Sequence, residues 1–204
     1  MTVQVTSPAE WHYRVGDLCR CATWNCHSSG GRLHDLLVQL LSESIDILCL
    51  QEADISQDST TSMQTLVHRF GYCFHFGSLT CAAGRAFYRM AIISRWPLCQ
   101  IRVPDTCFSP ERCQLARLHV PGQPPWHFAN VHLPHHPVNA SLLLESVEEF
   151  LVGQGGEHFV IGDFNCLPED KPAGRYLAAG ALFLFDGFGP LRGHCLSNPS
   201  IHVT

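Results

Sequence analysis

The chain has 204 residues, 46% of them apolar and 15% charged, which is enough to build one sizeable core and too apolar for a disordered chain. Its formal net charge of -5, from 13 Lys and Arg against 18 Asp and Glu, excludes a global basic field that would draw a polyanion and leaves only a local patch to do so. The 11 cysteines are odd in number and include no CxxC pair, so a small secreted disulfide scaffold is excluded and thiols in a reducing compartment are expected.

Residues 1–16 read as an N-terminal extension. They lack a charged start followed by an apolar core, so no signal peptide is expected. No apolar run approaches the ~18 residues that cross a bilayer, which predicts an intracellular protein, cytoplasmic or nuclear, without a transmembrane segment. Residues 18–25 (LCRCATWN) are β-compatible and run into a turn-rich stretch at 25–31. Cys19, Cys21, Cys26 and His27 fall here with C-x-C spacing; free or buried thiols are the plain reading, and a cysteine-rich zinc protein is the weaker alternative.

From Arg32, Leu33, Leu36, Leu37, Leu40 and Leu41 form the single apolar stripe of an amphipathic helix. Ile45 to Leu50 then reads as a buried strand ending at Gln51-Glu52. Further strands are predicted at Phe87 to Ser94, Gln114 to Val120, Trp126 to Leu133 and His158 to Asp163. Between the last two, Asn139 is placed to cap a helix striped by Leu143, Val147, Phe150 and Leu151, with Gly153 placed to end it. A short helix is predicted around Gly174 to Ala179, and loops at 77–85 and 104–112. This order of strands and helices suits two sheets packed as a sandwich and covered by helices, and pattern alone also allows a three-layer α/β fold.

Four apolar strands end in polar residues: Trp24-Asn25, Leu50-Gln51-Glu52, Val131-His132 and Gly162-Asp163-Phe164-Asn165. Strand ends that converge on one rim hold side chains on rigid backbone facing a cleft. Each has a bland reading, since Asn at a strand end usually turns the chain and Glu after a strand is usually solvated. Together they supply two carboxylates, three amides and an imidazole. Hard oxygen ligands of this kind suit Mg²⁺, which binds through one or two carboxylates plus waters and phosphate oxygens. A site centred on Glu52, with a carboxylate to orient water and an imidazole to donate a hydrogen bond, fits phosphate-ester hydrolysis better than zinc or cysteine chemistry.

The ordered motifs TWN at 23–25, LQE at 50–52, AIISRWPL at 91–98, NVHL at 130–133 and GDFNCLP at 162–168 resemble the endonuclease/exonuclease/phosphatase superfamily, the deoxyribonuclease I-like phosphodiesterases. The resemblance covers roughly residues 17–190, within one domain over 17–204, and implies an α/β fold: a four-layered α/β sandwich with two central mixed β-sheets, here lacking its C-terminal strands. It further implies Mg²⁺, with Mn²⁺ able to substitute. Carried over by motif, Glu52 is the main metal ligand and Asn25 supports the metal. His132 hydrogen-bonds the scissile phosphate or leaving oxygen, Asp163 orients the attacking water, and Asn165 holds a phosphate oxygen. Ser94 and Arg95 match a strand that is mainly structural in the family.

The pattern departs from the family after Asp186, where neither the late aspartate nor the closing Ser-Asp-His is recognisable; His194 comes too early and His202 lies where the late strand would begin. A truncated chain, a degenerate member, or another residue in the role each account for this. The helix after NVHL is acidic, with Glu145, Glu148 and Glu149, which disfavours a nucleic-acid groove along it. The expected function is an Mg²⁺-dependent hydrolase of phosphodiester bonds, with nucleic acid the first substrate class. Alternatives are an inositol-phosphate or sphingolipid phosphoesterase on the same fold, and a catalytically deficient member acting as a binding protein.

Overall fold

The computed structural model describes residues 21–27, 34–35, 37–38, 45–81, 84–101, 109, 111–119, 124–155 and 158–165, together with the backbone of 82, 182–184 and 194–195. The extension at 1–16, the helix expected at 174–179 and His202 lie outside these residues. The elements in chain order are β1 (Cys21–Asn25), β2 (Ile47–Gln51), β3 (Ile55–Ser56), α1 (Thr60–Arg69), β4 (Cys73–Phe76), β5 (Leu79–Ala82), β6 (Arg85–Tyr88), β7 (Ala91–Ser94), β8 (Leu98–Gln100), β9 (Cys113–Leu118), β10 (Trp126–His132), α2 (Pro137–Gln154), β11 (His158–Asp163), β12 (Leu182–Leu184) and β13 (His194–Cys195).

The strands form a four-stranded sheet in the order β1-β2-β7-β4, a six-stranded sheet in the order β13-β12-β11-β10-β9-β8, and a small sheet β3-β6-β5. Both large sheets are mixed: β1 runs parallel to β2, and β10 to β11, while β7 and β9 pair antiparallel with their neighbours. Side chains alternate across a strand, and the burial pattern follows that period into three apolar layers.

Ile47, Cys49, Ile92, Ala116, Leu118, Phe128, Phe159 and Ile161 fill the space between the two sheets, where Phe128 stacks on Phe159 at 5.5 Å between ring centroids. The opposite face of the first sheet, with Leu48, Leu50, Ala91 and Ile93, packs against Met63, Leu66 and Val67 of α1 and against Leu37. The opposite face of the second, with Leu115, Ala129, Val131 and Val160, packs against Leu143, Leu144, Val147 and Leu151 of α2. Helix, sheet, sheet and helix make the four-layered sandwich with two central mixed sheets; the three-layer alternative is excluded by the apolar layer between the sheets. His34, Asp35, Leu37 and Val38 are helical, in agreement with the Leu stripe.

Several local features differ from the pattern reading. Helix α2 begins at Pro137, not after Asn139, because proline has a preset φ and needs no amide partner in the first turn. It ends at Gly155 rather than Gly153: Gly155 has φ 69 and its N–H bonds the Val152 carbonyl, closing the last turn in the left-handed region. The segment 77–85 is mostly strand, since β5 and β6 pair as a hairpin. Phe87 to Ser94 is two strands in two sheets, divided at Arg89 and Met90, whose carbonyls are taken by the Ala53 and Gly77 amides. Helix α1 has no counterpart in the pattern reading. Its apolar stripe is only Met63, Leu66 and Val67 in a Thr/Ser-rich segment, so its stability comes from docking on the sheet rather than from propensity.

Among the described residues no helix is long and apolar enough to cross a membrane.

Candidate active site

The inward faces of four strands share one gradient. Read along the period of two, β1 gives Cys21-Thr23-Asn25, β2 gives Ile47-Cys49-Gln51, β10 gives Phe128-Asn130-His132 and β11 gives Phe159-Ile161-Asp163. Mostly apolar residues lie deep between the sheets, and polar ones follow towards the C-terminal ends. The strand ends therefore deliver their polar side chains to one rim.

Glu52 breaks the alternation. Gln51 faces inward, so the next residue of a regular strand would face α1; instead Glu52 takes φ 48. This left-handed turn costs roughly 1–2 kcal/mol for a residue with a Cβ. It returns the carboxylate to the cleft, where Oε1 accepts a hydrogen bond from Asn25 Nδ2 at 3.1 Å and lies 3.1 Å from His132 Nε2.

Asn25 also donates through Nδ2 to Asp163 Oδ2 at 2.6 Å, while its Oδ1 accepts the His27 N–H at 2.9 Å. A backbone donor on one side and two carboxylates on the other fix the amide orientation. Asn25 thus ties the two acids together and faces them with its nitrogen. The register of β10 with β11 puts His132 opposite Asp163, which closes the group of four.

Asp163 and Asn165 are ordered by the turn that ends β11. The Asn165 N–H bonds Asp163 Oδ1 at 2.9 Å, Asn165 Nδ2 bonds the Leu133 carbonyl at 2.7 Å, and Asn165 sits at φ 47. Phe164 between them is 1% exposed in the layer beneath α2, so it anchors the turn. The preceding Gly162 is required by sterics: a Cβ there would stand 1.9 Å from the Val131 carbonyl oxygen.

Burial holds the His132 imidazole below its ordinary pKa of 6.5, a shift opposed by Asp163 and Glu52 and reinforced by Arg112 and Arg89. Its closeness to Glu52 alone would suggest a charged pair. Desolvation is the larger effect, and His132 is neutral at pH 7 with a proton available for donation. Two cations sit near it: Arg112 Nη1 donates to the His132 carbonyl at 3.3 Å, and Arg89 lies 3.6 Å from Asp54. Cys26 is inert, because burial, Asp54 and Glu52 keep its thiol well above its ordinary value. Ser94 and Arg95 serve structure: Ser94 Oγ accepts the Trp96 N–H at 3.0 Å and Arg95 Nε donates to Tyr72 at 2.9 Å.

The structure brings Asn25, Glu52, His132, Asp163 and Asn165 to one rim. From the sequence alone no role is expected for Arg89, Arg112 or the buried Thr23, Gln51 and Asn130. The last three had a usable signal, as polar residues at inward positions of apolar strands; the two arginines had none, being single cations near strand ends.

Hard oxygen donors with two carboxylates linked by one amide suit Mg²⁺. Among the described residues no three or more His, Cys, Asp or Glu side chains form a metal cage.

The sequence profile of the Endonuclease/Exonuclease/phosphatase family matches residues 22–200. The chain belongs to this family. No curated protein matches the sequence significantly. Solved structures share the fold. ANGEL2, a 2',3'-cyclic phosphatase, aligns with a TM-score of 0.53 at 19% identity, covering 72% of this chain and 47% of ANGEL2. The 3' phosphatase NExo from Neisseria, bound to product DNA hairpin, gives a TM-score of 0.52 at 22% identity over 72% of this chain and 58% of NExo. The endonuclease domain of TRAS1, a telomere-specific non-LTR retrotransposon, gives 0.55 at 12% identity over 79% of this chain and 70% of that domain. The chain thus spans about half the length of ANGEL2. At these identities the likeness establishes the endonuclease/exonuclease/phosphatase fold.

Proposed function

We propose that the chain is an Mg²⁺-dependent hydrolase of phosphodiester bonds acting on nucleic acid. The observation that carries this reading is the convergence of Asn25, Glu52, His132 and Asp163, drawn from two sheets and linked by Asn25 to Asp163 at 2.6 Å, Asn25 to Glu52 at 3.1 Å and Glu52 to His132 at 3.1 Å. Glu52 would hold Mg²⁺, with Asn25 fixing its carboxylate. The ion would neutralise charge building on the phosphoryl oxygens.

The chain's own residues supply the rest. Asp163, with one oxygen held by the Asn165 amide and the other by Asn25, is oriented to direct a water and accept its proton. Neutral His132 passes its donor from Glu52 to a phosphoryl or leaving oxygen. Asn165 keeps a second amide hydrogen for a phosphate oxygen, and Arg112 and Arg89 add positive charge beside a chain whose net charge is -5. Nucleic acid as substrate is supported by the DNA-bound NExo structure and the TRAS1 endonuclease domain, which share this fold. An intracellular setting, cytoplasmic or nuclear, belongs to the same proposal and is supported by the free thiols of Cys26, Cys49, Cys73, Cys81, Cys99 and Cys113.

The test is hydrolysis of labelled DNA, labelled RNA, a bis-phosphoester reporter, inositol phosphates and sphingomyelin with Mg²⁺, comparing the chain with Glu52→Ala and Asp163→Ala. Cleavage of a nucleic acid that both substitutions abolish supports the proposal. Turnover indifferent to both overturns the site, turnover of only inositol phosphate or sphingomyelin reassigns the substrate, and Mg²⁺ binding without turnover indicates a binding protein.

A further inference from the structure

Directly behind the site, the inter-sheet layer contains amides where packing alone would place Leu or Ile. Gln51 and Asn130 are both 0% exposed. Gln51 Nε2 donates to Asn130 Oδ1 at 2.6 Å and to Thr23 Oγ1 at 2.9 Å. Asn130 Nδ2 donates to the Leu50 and Ala91 carbonyls, each at 3.1 Å. Leu50 and Ala91 are opposed residues of β2 and β7, so a side chain of the six-stranded sheet is inserted into the ladder of the four-stranded sheet.

Burying such amides without partners would cost about 1–3 kcal/mol per group, which an apolar pair would avoid. What amides add is direction. Apolar faces tolerate a small slide of one sheet over the other, whereas hydrogen bonds to fixed carbonyls do not. The halves of the site ride on these sheets: Asn25 and Glu52 on the first, His132 and Asp163 on the second. Gln51 directly precedes Glu52, and Asn130 lies two residues before His132 on the same face. A slide of ~1 Å would break the 2.6 Å contact of Asn25 with Asp163 and the 3.1 Å approach of His132 to Glu52.

We propose that Gln51 and Asn130 are positioning residues that lock the Glu52 half of the site in register with the His132 half, an inference that rests on the metal-dependent reading of that site. The experiment uses the full chain, Gln51→Met, Asn130→Leu, the double variant, and Glu52→Gln as control. Mn²⁺ binding is followed by the electron spin resonance of the free ion, without substrate, at a temperature where circular dichroism shows each variant folded. kcat and KM are measured with Mg²⁺.

Each single variant is expected to weaken Mn²⁺ binding and lower kcat by roughly 10–100-fold, with KM changed less than about twofold. The double variant, in which neither amide is left facing an apolar partner, is expected to recover some of the thermal stability and none of the Mn²⁺ affinity. Asn130→Ser replaces Asn130→Leu if the latter does not fold. Wild-type Mn²⁺ affinity and kcat in the folded variants, or recovery of both in the double variant, overturns the inference and leaves the amides as sheet glue. If the unsubstituted chain binds no Mn²⁺, or Glu52→Gln binds it equally well, the reading of the site fails and the inference falls with it.

Discussion

Asn25 Nδ2 donates to Asp163 Oδ2 at 2.6 Å, although the two residues stand 138 positions apart in sequence and belong to different sheets. The same nitrogen reaches Glu52, so one amide holds two carboxylates whose charges would otherwise push them apart. Asn25→Asp puts a third acid in that place. It is expected to lower kcat by about 10–100-fold while leaving the chain folded, as read by steady-state hydrolysis of a labelled oligonucleotide at saturating Mg²⁺ alongside circular dichroism.

Gly162 lies in the tightest contact between β10 and β11, where an added Cβ would meet the Val131 carbonyl oxygen at 1.9 Å. Gly162→Ala must push these paired strands apart one residue before Asp163. The expected cost is about 3 kcal/mol of folding stability or more, measured by urea unfolding, and a loss of turnover even in the fraction that folds.

Phe128 is fully buried between the sheets and stacks on Phe159. Phe128→Ala removes volume from the layer on which both halves of the site rest. A loss of about 3–5 kcal/mol is expected, checked by the urea midpoint at unchanged m-value.

Burial lowers the pKa of His75 and His127 below the ordinary 6.5, as it does for His132. The unfolded chain therefore binds protons near pH 6.5 that the folded chain refuses. The stabilisation from these neutral imidazoles is complete above that value and is lost as pH falls below it towards the folded pKa. The melting temperature is expected to drop between pH 6.5 and 5, and less so in a His127→Gln variant.

Chelation separates fold from function in the proposed reading. The three apolar layers are built without metal ligands. EDTA is expected to abolish hydrolysis and shift the melting temperature by no more than a few degrees, with Mg²⁺ restoring activity.

Much of the fold was legible because β periodicity is a local signal. The strand at His158 to Asp163 coincides with β11, and the C-terminal ends of β1, β2 and β10 fall within one residue of the reading. Helix α1 was not legible, since three apolar residues among Thr and Ser do not outweigh the bland reading until a sheet lies beneath them. The division of Phe87 to Ser94 was hidden for a similar reason: both halves are β-compatible, and only the Arg89 and Met90 hydrogen bonds show that they serve different sheets.

By itself the sequence determined which residues could do the chemistry. Asn25, His132 and Asp163 end apolar strands, and alternation sets which face they take, while Glu52 and Asn165 come just after strands and are turned by a positive φ. Tertiary structure decided what those residues do to one another. Hydrogen bonds such as Asn25 to Asp163 and Gln51 to Asn130 join residues with no local relation in the chain. Their short range means that the packing of one sheet on the other, and nothing in the order of residues, makes them.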